Sequence, residues 1–292
     1  MPLETGFEHF VRTGVPLAPL TWFHLGGPAE YVAEPASMEE LAALVVRCRD
    51  EAVQLRLLGG GSNVLVRDEG VLGMTVRLTA PVFQDIKVEK NRVRAGGGAK
   101  LGHAISSAVR VGLSGLETLV GIPGTIGGAL HGNAGSRGGD IGQWTDKATV
   151  LTRNGDIVQR NRGDLVFGYR ESSLDELAIL DAEFELESED PVELTKRMQQ
   201  QWIIKKASQP LAHQSAGCIF KNPRGMSAGI LIEQAGLKGT RVGGAEVSDR
   251  HANFIVANEG ATAQDVLKLI DQIRNRVADR QGVELETEID IW

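Results

Sequence analysis

Two stretches of this chain are built mostly from main chain: "LLGGGSN" (57–63) and "GIPGTIGGALHGNAG" (121–135). Consecutive N–H groups in tight turns form a concavity that favours anions, and a helix N-terminus strengthens it. Ser62 and Asn63 add side-chain donors to the first loop, and the second opens a short helix near Thr125. Two separate backbone cradles suit an extended ligand with a diphosphate, such as a dinucleotide. Neither loop matches the G-x-x-x-x-G-K-[ST] pattern or a G-x-G-x-x-G after a first strand, which argues against a P-loop and against a standard Rossmann site. The competing reading is tight turns at sheet corners. Against it stands the density of three clusters, "AGGGAKLG" (95–102) being the third, in a chain with 36 glycines among 292 residues where roughly 7% is usual.

The elements that must position these loops are mixed. Ser37 followed by Glu40 caps a helix over about 38–53, and "LRLLG" is a strand that runs directly into the first loop. "IKVEKNRVRAG" turns at Lys90–Asn91 and "KATVLTRNGDIVQR" at Asn154–Gly155, both hairpin signals. Further helices are "KLGHAISSAVRVG", ending at Gly112, "DPVELTKRMQQQWIIKKAS", "SAGILIEQAGL" and "TAQDVLKLIDQIRNRVADRQG". Strands "HANFIVA" and "ELETEIDIW" complete the chain, and "QPLAHQSAG" is a candidate boundary. Without a regular βα alternation the expectation is an α+β fold. The net charge of −7, with no dense Lys/Arg block, makes nucleic acid and acidic membrane surfaces poor partners. The N-terminus lacks signal-peptide character, no apolar run approaches membrane-spanning length, and Cys48 and Cys218 make no disulfide framework. A soluble, cytoplasmic protein is expected. No Cys/His spacing suits a metal.

The stretches "TWFHLGGPAEYVAEP", "LRLLGGGSNVLVRDEG", "GIPGTIGGALHGNAG", "FGYRES", "SAGCIFKNP", "AGILIEQAGLKG" and "LETEI", in that order, resemble the bacterial UDP-N-acetylenolpyruvoylglucosamine reductase family from about residue 20 to the C-terminus. The resemblance implies an FAD-binding domain of the vanillyl-alcohol-oxidase type in two subdomains, 1–80 and 81–208, and a C-terminal α+β substrate domain, 209–292. It implies non-covalent FAD, NADPH as hydride donor, UDP-N-acetylglucosamine enolpyruvate as substrate, and a monomer. The residues themselves carry no fingerprint that separates NADPH from NADH. Against FAD the resemblance places Gly59, Gly60, Gly61, Ser62 and Asn63. From the long loop it adds Gly121, Ile122, Pro123, Gly124, Thr125, Gly127, Gly128, Ala129, Asn133, Ala134 and Gly135.

Reduction of an enolpyruvyl ether puts a hydride on C3 and a proton on C2. It needs a cation at the carboxylate, a proton donor, and a polar group to tune them. By resemblance these are Arg170, Cys218 and Glu288. A guanidinium forks onto a carboxylate without losing its charge; the alternative for Arg170 is an ion pair with Glu171, Asp175 or Glu176. Cys218 stands where many members have serine. A thiol, ordinarily of pKa about 8.5, is a stronger acid than an alcohol, so it still delivers the proton but is open to oxidation. On a strand Glu286 and Glu288 face the same side, so alternation does not separate them and the motif alone selects Glu288. Softer substrate candidates are Lys221, Asn222, Gln234, Lys238 and His251, with Tyr169 either a site wall or core. Two departures stand out: "HGNAG" where many members read "YMNAG", and no counterpart of the substrate-closing tyrosine loop of long-form members.

Overall fold

In the computed structural model, residues 3–136 and 138–292 are described, and the chain divides into two compact units. The first comprises 1–14, 30–60 and 72–203; the second 15–29, 61–71 and 204–292. Helices and antiparallel sheets are mixed in both, as an α+β fold requires.

The first unit holds two hydrophobic cores. One packs helix α1 (Met38–Asp50) on a four-stranded sheet ordered Val11–Pro16, Pro28–Ala33, Val71–Val76, Leu55–Leu57. Leu41, Leu44, Val45 and Cys48 recur at helical spacing and bury against Met74, Val76 and Phe83. Ser37 caps α1 through Glu40 N–H (3.2 Å), but the Glu40 carboxylate turns instead to Ala36 N–H and His9. Burial pushes the Cys48 thiol up to about 11, so it is an inert packing residue. The other core lies under a five-stranded antiparallel sheet ordered Ile157–Asn161, Thr145–Leu151, Ala178–Glu185, Arg92–Gly96, Ile86–Glu89. Its inward face carries Val93, Ala95, Ala148, Val150, Ala182 and Phe184, packed on helix α2 (Leu101–Arg110) and helix α3 (Ile126–His131). The outward positions pair charge across strands, Arg94 with Asp181 and Arg92 with Asp146 and Glu183. Both hairpin turns fall where the sequence puts them, with Lys90 at φ 55° and Gly155 at φ 89°. Helix α4 (Pro191–Ser208) follows, the Asp190 carboxylate accepting from Val192 N–H at 2.8 Å.

The second unit encloses one core. Helices α5 (Ala228–Gln234) and α6 (Ala263–Gln281) pack Ile232, Val266, Leu269, Ile270, Ile273 and Val277 with Phe220, Val247 and Ile255. A three-stranded antiparallel sheet (Arg241–Val242, Ala245–Val247, Ile255–Ala257) lies beside them. The C-terminal stretch is not the continuous strand its alternation suggests. Only Asp290–Ile291 is strand, paired in parallel with Val64–Leu65, and Thr287 makes an isolated bridge to Phe220.

Thr262 and Asp265 form a complete capping box on α6, and Gly282 ends the helix in the left-handed region. Asp68, almost 200 positions away in sequence, supplies a second cap: its two oxygens accept from Ala263 and Gln264 N–H, each at 2.9 Å. Asp68→Ala removes a charge and two acceptors from a helix N-terminus. It is expected to cost about 1–2 kcal/mol, read as a lower urea midpoint with unchanged m-value.

Candidate functional site

The two glycine loops meet inside the first unit. A Cβ on Gly60 would lie 2.7 Å from Gly124 Cα, and one on Gly59 2.7 Å from Thr125 Oγ1. A side chain at Gly60 is therefore excluded by the main chain of Gly124, and one at Gly59 is crowded by the Thr125 side chain. The cluster at 95–102 has a different job. A Cβ on Gly97 or Gly98 would overlap the carbonyl oxygens of Ile179 or Leu78, so this cluster is close packing at a sheet corner. It also seats helix α3: Ala99 and Gly97 carbonyls accept from Ile126 (2.9 Å) and Gly127 (2.8 Å) N–H, and Leu101 N–H donates to Gly124 O (3.1 Å). Thr125 caps α3 by accepting from Gly128 N–H. The N–H groups of Ile126, Gly127 and Gly128 are engaged by the protein, while Gly60 and residues 121–125 are each half-exposed. Gly121 and Gly124 have φ of 80° and 114°, turns that only glycine makes without strain.

The hairpin of "FGYRES" lies against the segment that follows α3. Phe167–Gly168 pairs with Glu171–Ser172, leaving Tyr169–Arg170 as a two-residue loop with Arg170 at φ 60°. Arg170 is half-buried, donates Nη1–H to Gly135 O at 3.2 Å, and sits 5.5 Å from the Tyr169 ring centroid. Tyr169 is 56% exposed and so is not core. Of the acids near Arg170 in sequence, Glu176 is held by Arg160 at 2.6 Å. Asn133, 3% exposed, bonds the protein backbone: Nδ2–H donates to Gly168 O (2.7 Å) and Oδ1 accepts from Gly142 N–H (3.1 Å). Ala134 N–H returns to Ala129 O at 2.7 Å, closing the turn after α3.

The second unit gathers the remaining candidates. Cys218 is half-buried and bridged to Phe254. The two following residues are fixed by Asn253: Ile219 N–H donates to its carbonyl (2.8 Å), and its carboxamide binds both Phe220 N–H (3.0 Å) and Phe220 O (2.8 Å). Sequence reasoning passed over Asn253; a lone amide inside the apolar run "HANFIVA" was the available signal. Glu288 N–H donates to Ile219 O at 2.7 Å, so the segments carrying Cys218 and Glu288 are neighbours. Asn63 fastens the same segment, donating to Glu288 O (3.1 Å) and accepting from Asp290 N–H (3.0 Å). Glu286 and Glu288 are distinguished by their surroundings. Glu286 is exposed and paired with Lys221 at 2.6 Å; Glu288 is half-buried.

Around short helix α5 lie the softer candidates. Asn222 Oδ1 accepts from Ala228 N–H at 3.0 Å, and Lys238 pairs with Glu233 at 2.8 Å. His251 is half-buried, and a Cβ on Gly229 would lie 3.3 Å from its Cε1. Burial pushes the His251 imidazole below its usual range, and its Nδ1 accepts from Asn253 N–H at 3.3 Å, so it is neutral with Nε2 protonated. Gln234 is exposed at the end of α5. Among the described residues no helix is long and apolar enough to cross a membrane.

Known proteins agree with both halves of this picture. Residues 29–161 match the family model "FAD binding domain", and residues 209–292 match "UDP-N-acetylenolpyruvoylglucosamine reductase, C-terminal domain". UDP-N-acetylenolpyruvoylglucosamine reductase 2 of Symbiobacterium thermophilum is 45% identical over 284 residues, 97% of this chain and 92% of that protein. The reductase of Listeria innocua is 40% identical over 99% of this chain and 97% of its own length. Among solved structures, the crystal structure of UDP-N-acetylenolpyruvylglucosamine reductase from Thermus caldophilus superposes with a TM-score of 0.84 at 37% identity, covering 97% of this chain and all of that one. The adjoining glycine loops, where a Cβ would fill the contact and main chain is half-exposed, fit an FAD diphosphate.

Proposed function

Because this chain belongs to the UDP-N-acetylenolpyruvoylglucosamine reductase family, FAD-binding oxidoreductases of peptidoglycan precursor synthesis, we propose that it reduces UDP-N-acetylglucosamine enolpyruvate to UDP-N-acetylmuramate with NADPH. The observation that carries this is the pairing, in one chain, of an FAD-binding domain at 29–161 with the reductase C-terminal domain at 209–292. On the same reading 1–80 and 81–208 are the two FAD subdomains, 209–292 holds substrate, and the enzyme works as a cytoplasmic monomer.

FAD would be held non-covalently by the main chain of Gly59–Asn63 and of the 121–135 loop. When bound, it supplies the hydride, received from NADPH, that reaches C3 of the enolpyruvyl double bond. Arg170 binds the substrate carboxylate and stabilises the negative charge that spreads from C2 onto it. Cys218 donates its Sγ–H proton to C2. Glu288 tunes and orients the donor. Lys221, Asn222, Gln234, Lys238 and His251 hold the sugar nucleotide around α5. Across the double bond the balance is one hydride and one proton, with NADPH leaving as NADP⁺.

The test is product identity by proton NMR. The reading expects the vinyl CH₂ signals to be replaced by a methyl doublet coupled to a methine, with one NADPH oxidised per product. Oxidation of NADPH with the vinyl signals intact would refute it. The loop contact gives a further expectation. Gly60→Ala places a methyl against Gly124 main chain, an overpacking of about 1–3 kcal/mol. FAD affinity is expected to fall on the order of tenfold or more, seen as a lower flavin-to-protein ratio after gel filtration.

A further inference from the structure

Arg170 occupies the second place of a two-residue hairpin loop, at φ 60°, so its place depends on how that hairpin is held. Hydrogen bonds hold the hairpin on the segment after α3. Ser172 Oγ–H donates to His131 O (3.0 Å), Arg170 to Gly135 O (3.2 Å), and Asn133 Nδ2–H to Gly168 O (2.7 Å). Of these three, the Asn133 bond is the one made by a buried side chain, and Asn133 also reaches a third segment, through Gly142 N–H. Gly142 is itself pressed beneath the Phe167 ring, where a Cβ would overlap it. One carboxamide thus spans the hairpin, the flavin-side loop and the turn before Thr145–Leu151.

We propose that Asn133 is a positioning residue that sets the place of Arg170 through its two-way carboxamide bridge from Gly142 N–H to Gly168 O. The chemistry demands an amide. One end must accept and the other donate, and the residue must tolerate φ 40°, which asparagine does better than other non-glycine residues. Aspartate at neutral pH keeps the acceptor but turns a carboxylate oxygen on Gly168 O. Protonated, a carboxylic acid restores the donor. Glycine keeps the backbone conformation and deletes the bridge. The inference rests on the reaction proposed above, since it assigns the consequence to the step that uses Arg170.

The experiment is anaerobic stopped-flow on FAD-loaded parent, Asn133→Asp and Asn133→Gly, following flavin reduction by NADPH and then reoxidation by the enolpyruvyl substrate. Because Asn133 lies in the loop that would hold FAD, the readout is the ratio of the two half-reactions: in Asn133→Gly, and in Asn133→Asp at about pH 8, reoxidation should fall at least about tenfold more than reduction, which does not use the substrate carboxylate. In Asn133→Asp the ratio to the parent should recover as pH is lowered toward about 6, since a buried carboxyl facing a carbonyl oxygen titrates above its ordinary range. Reoxidation at parental rate in both variants overturns the inference. So does an equal, pH-independent loss in both half-reactions, the mark of general damage. A parent that NADPH reduces but substrate does not reoxidise refutes the proposed reaction itself, and with it the role given to Arg170.

Discussion

Replacing Cys218 with alanine is expected to leave flavin reduction by NADPH unchanged and to slow reoxidation by the enolpyruvyl substrate by about 10²–10⁴-fold, the usual worth of a positioned general acid. The backbone here is held by the bridge to Phe254 and by Asn253, which binds the main chain of Ile219 and Phe220. None of these contacts uses the thiol. A loss confined to the second half-reaction therefore reports proton delivery rather than a displaced strand. Cys218→Ser should keep most of the activity, because a hydroxyl in the same place is a donor too, and it should remove sensitivity to thiol alkylation. Full activity in Cys218→Ala would take the residue out of the mechanism.

The second large effect is at Arg170. Arg170→Gln keeps a polar side chain but removes the charge, and should lower kcat/KM for the enolpyruvyl substrate by about 10²–10³-fold. Arg170→Lys should recover only part of this, because an ammonium lacks the planar fork that grips a carboxylate. Steady-state kinetics at saturating NADPH separates the contributions. A fall mainly in kcat indicates charge stabilisation in the transition state, and a rise mainly in KM indicates carboxylate binding alone. Parental kinetics in Arg170→Gln would return the residue to a structural role, as a donor to Gly135 O.

Local signals carried well into the fold where they depend on neighbours in sequence. Asn154–Gly155, Lys90–Asn91, Thr262 and Gly282 each mark the turn or cap that forms there. What they could not convey is the direction of a side chain toward a distant partner. Asp68 reads as one acid in a turn, yet it caps a helix that begins at Ala263. Asn63 reads as a ligand donor and Asn133 as part of a ligand loop by resemblance; in the structure the side-chain amide of each donates to a protein carbonyl. The choice between Glu286 and Glu288 was closed to alternation because the premise of a strand fails there: the chain is irregular until Asp290, and Lys221 engages Glu286. The glycine clusters looked alike in composition. They differ in use, 59–60 and 121–124 meeting each other at a half-exposed surface while 97–98 lie against buried carbonyls.

The transfer of reducing equivalents from NADPH through FAD to an enolpyruvyl ether is tested most directly by anaerobic absorbance of the purified holoprotein. The flavin band should bleach when NADPH is added and return, in stoichiometric amount, when UDP-N-acetylglucosamine enolpyruvate follows. A band that bleaches and stays bleached in the presence of that substrate would contradict the proposed reaction.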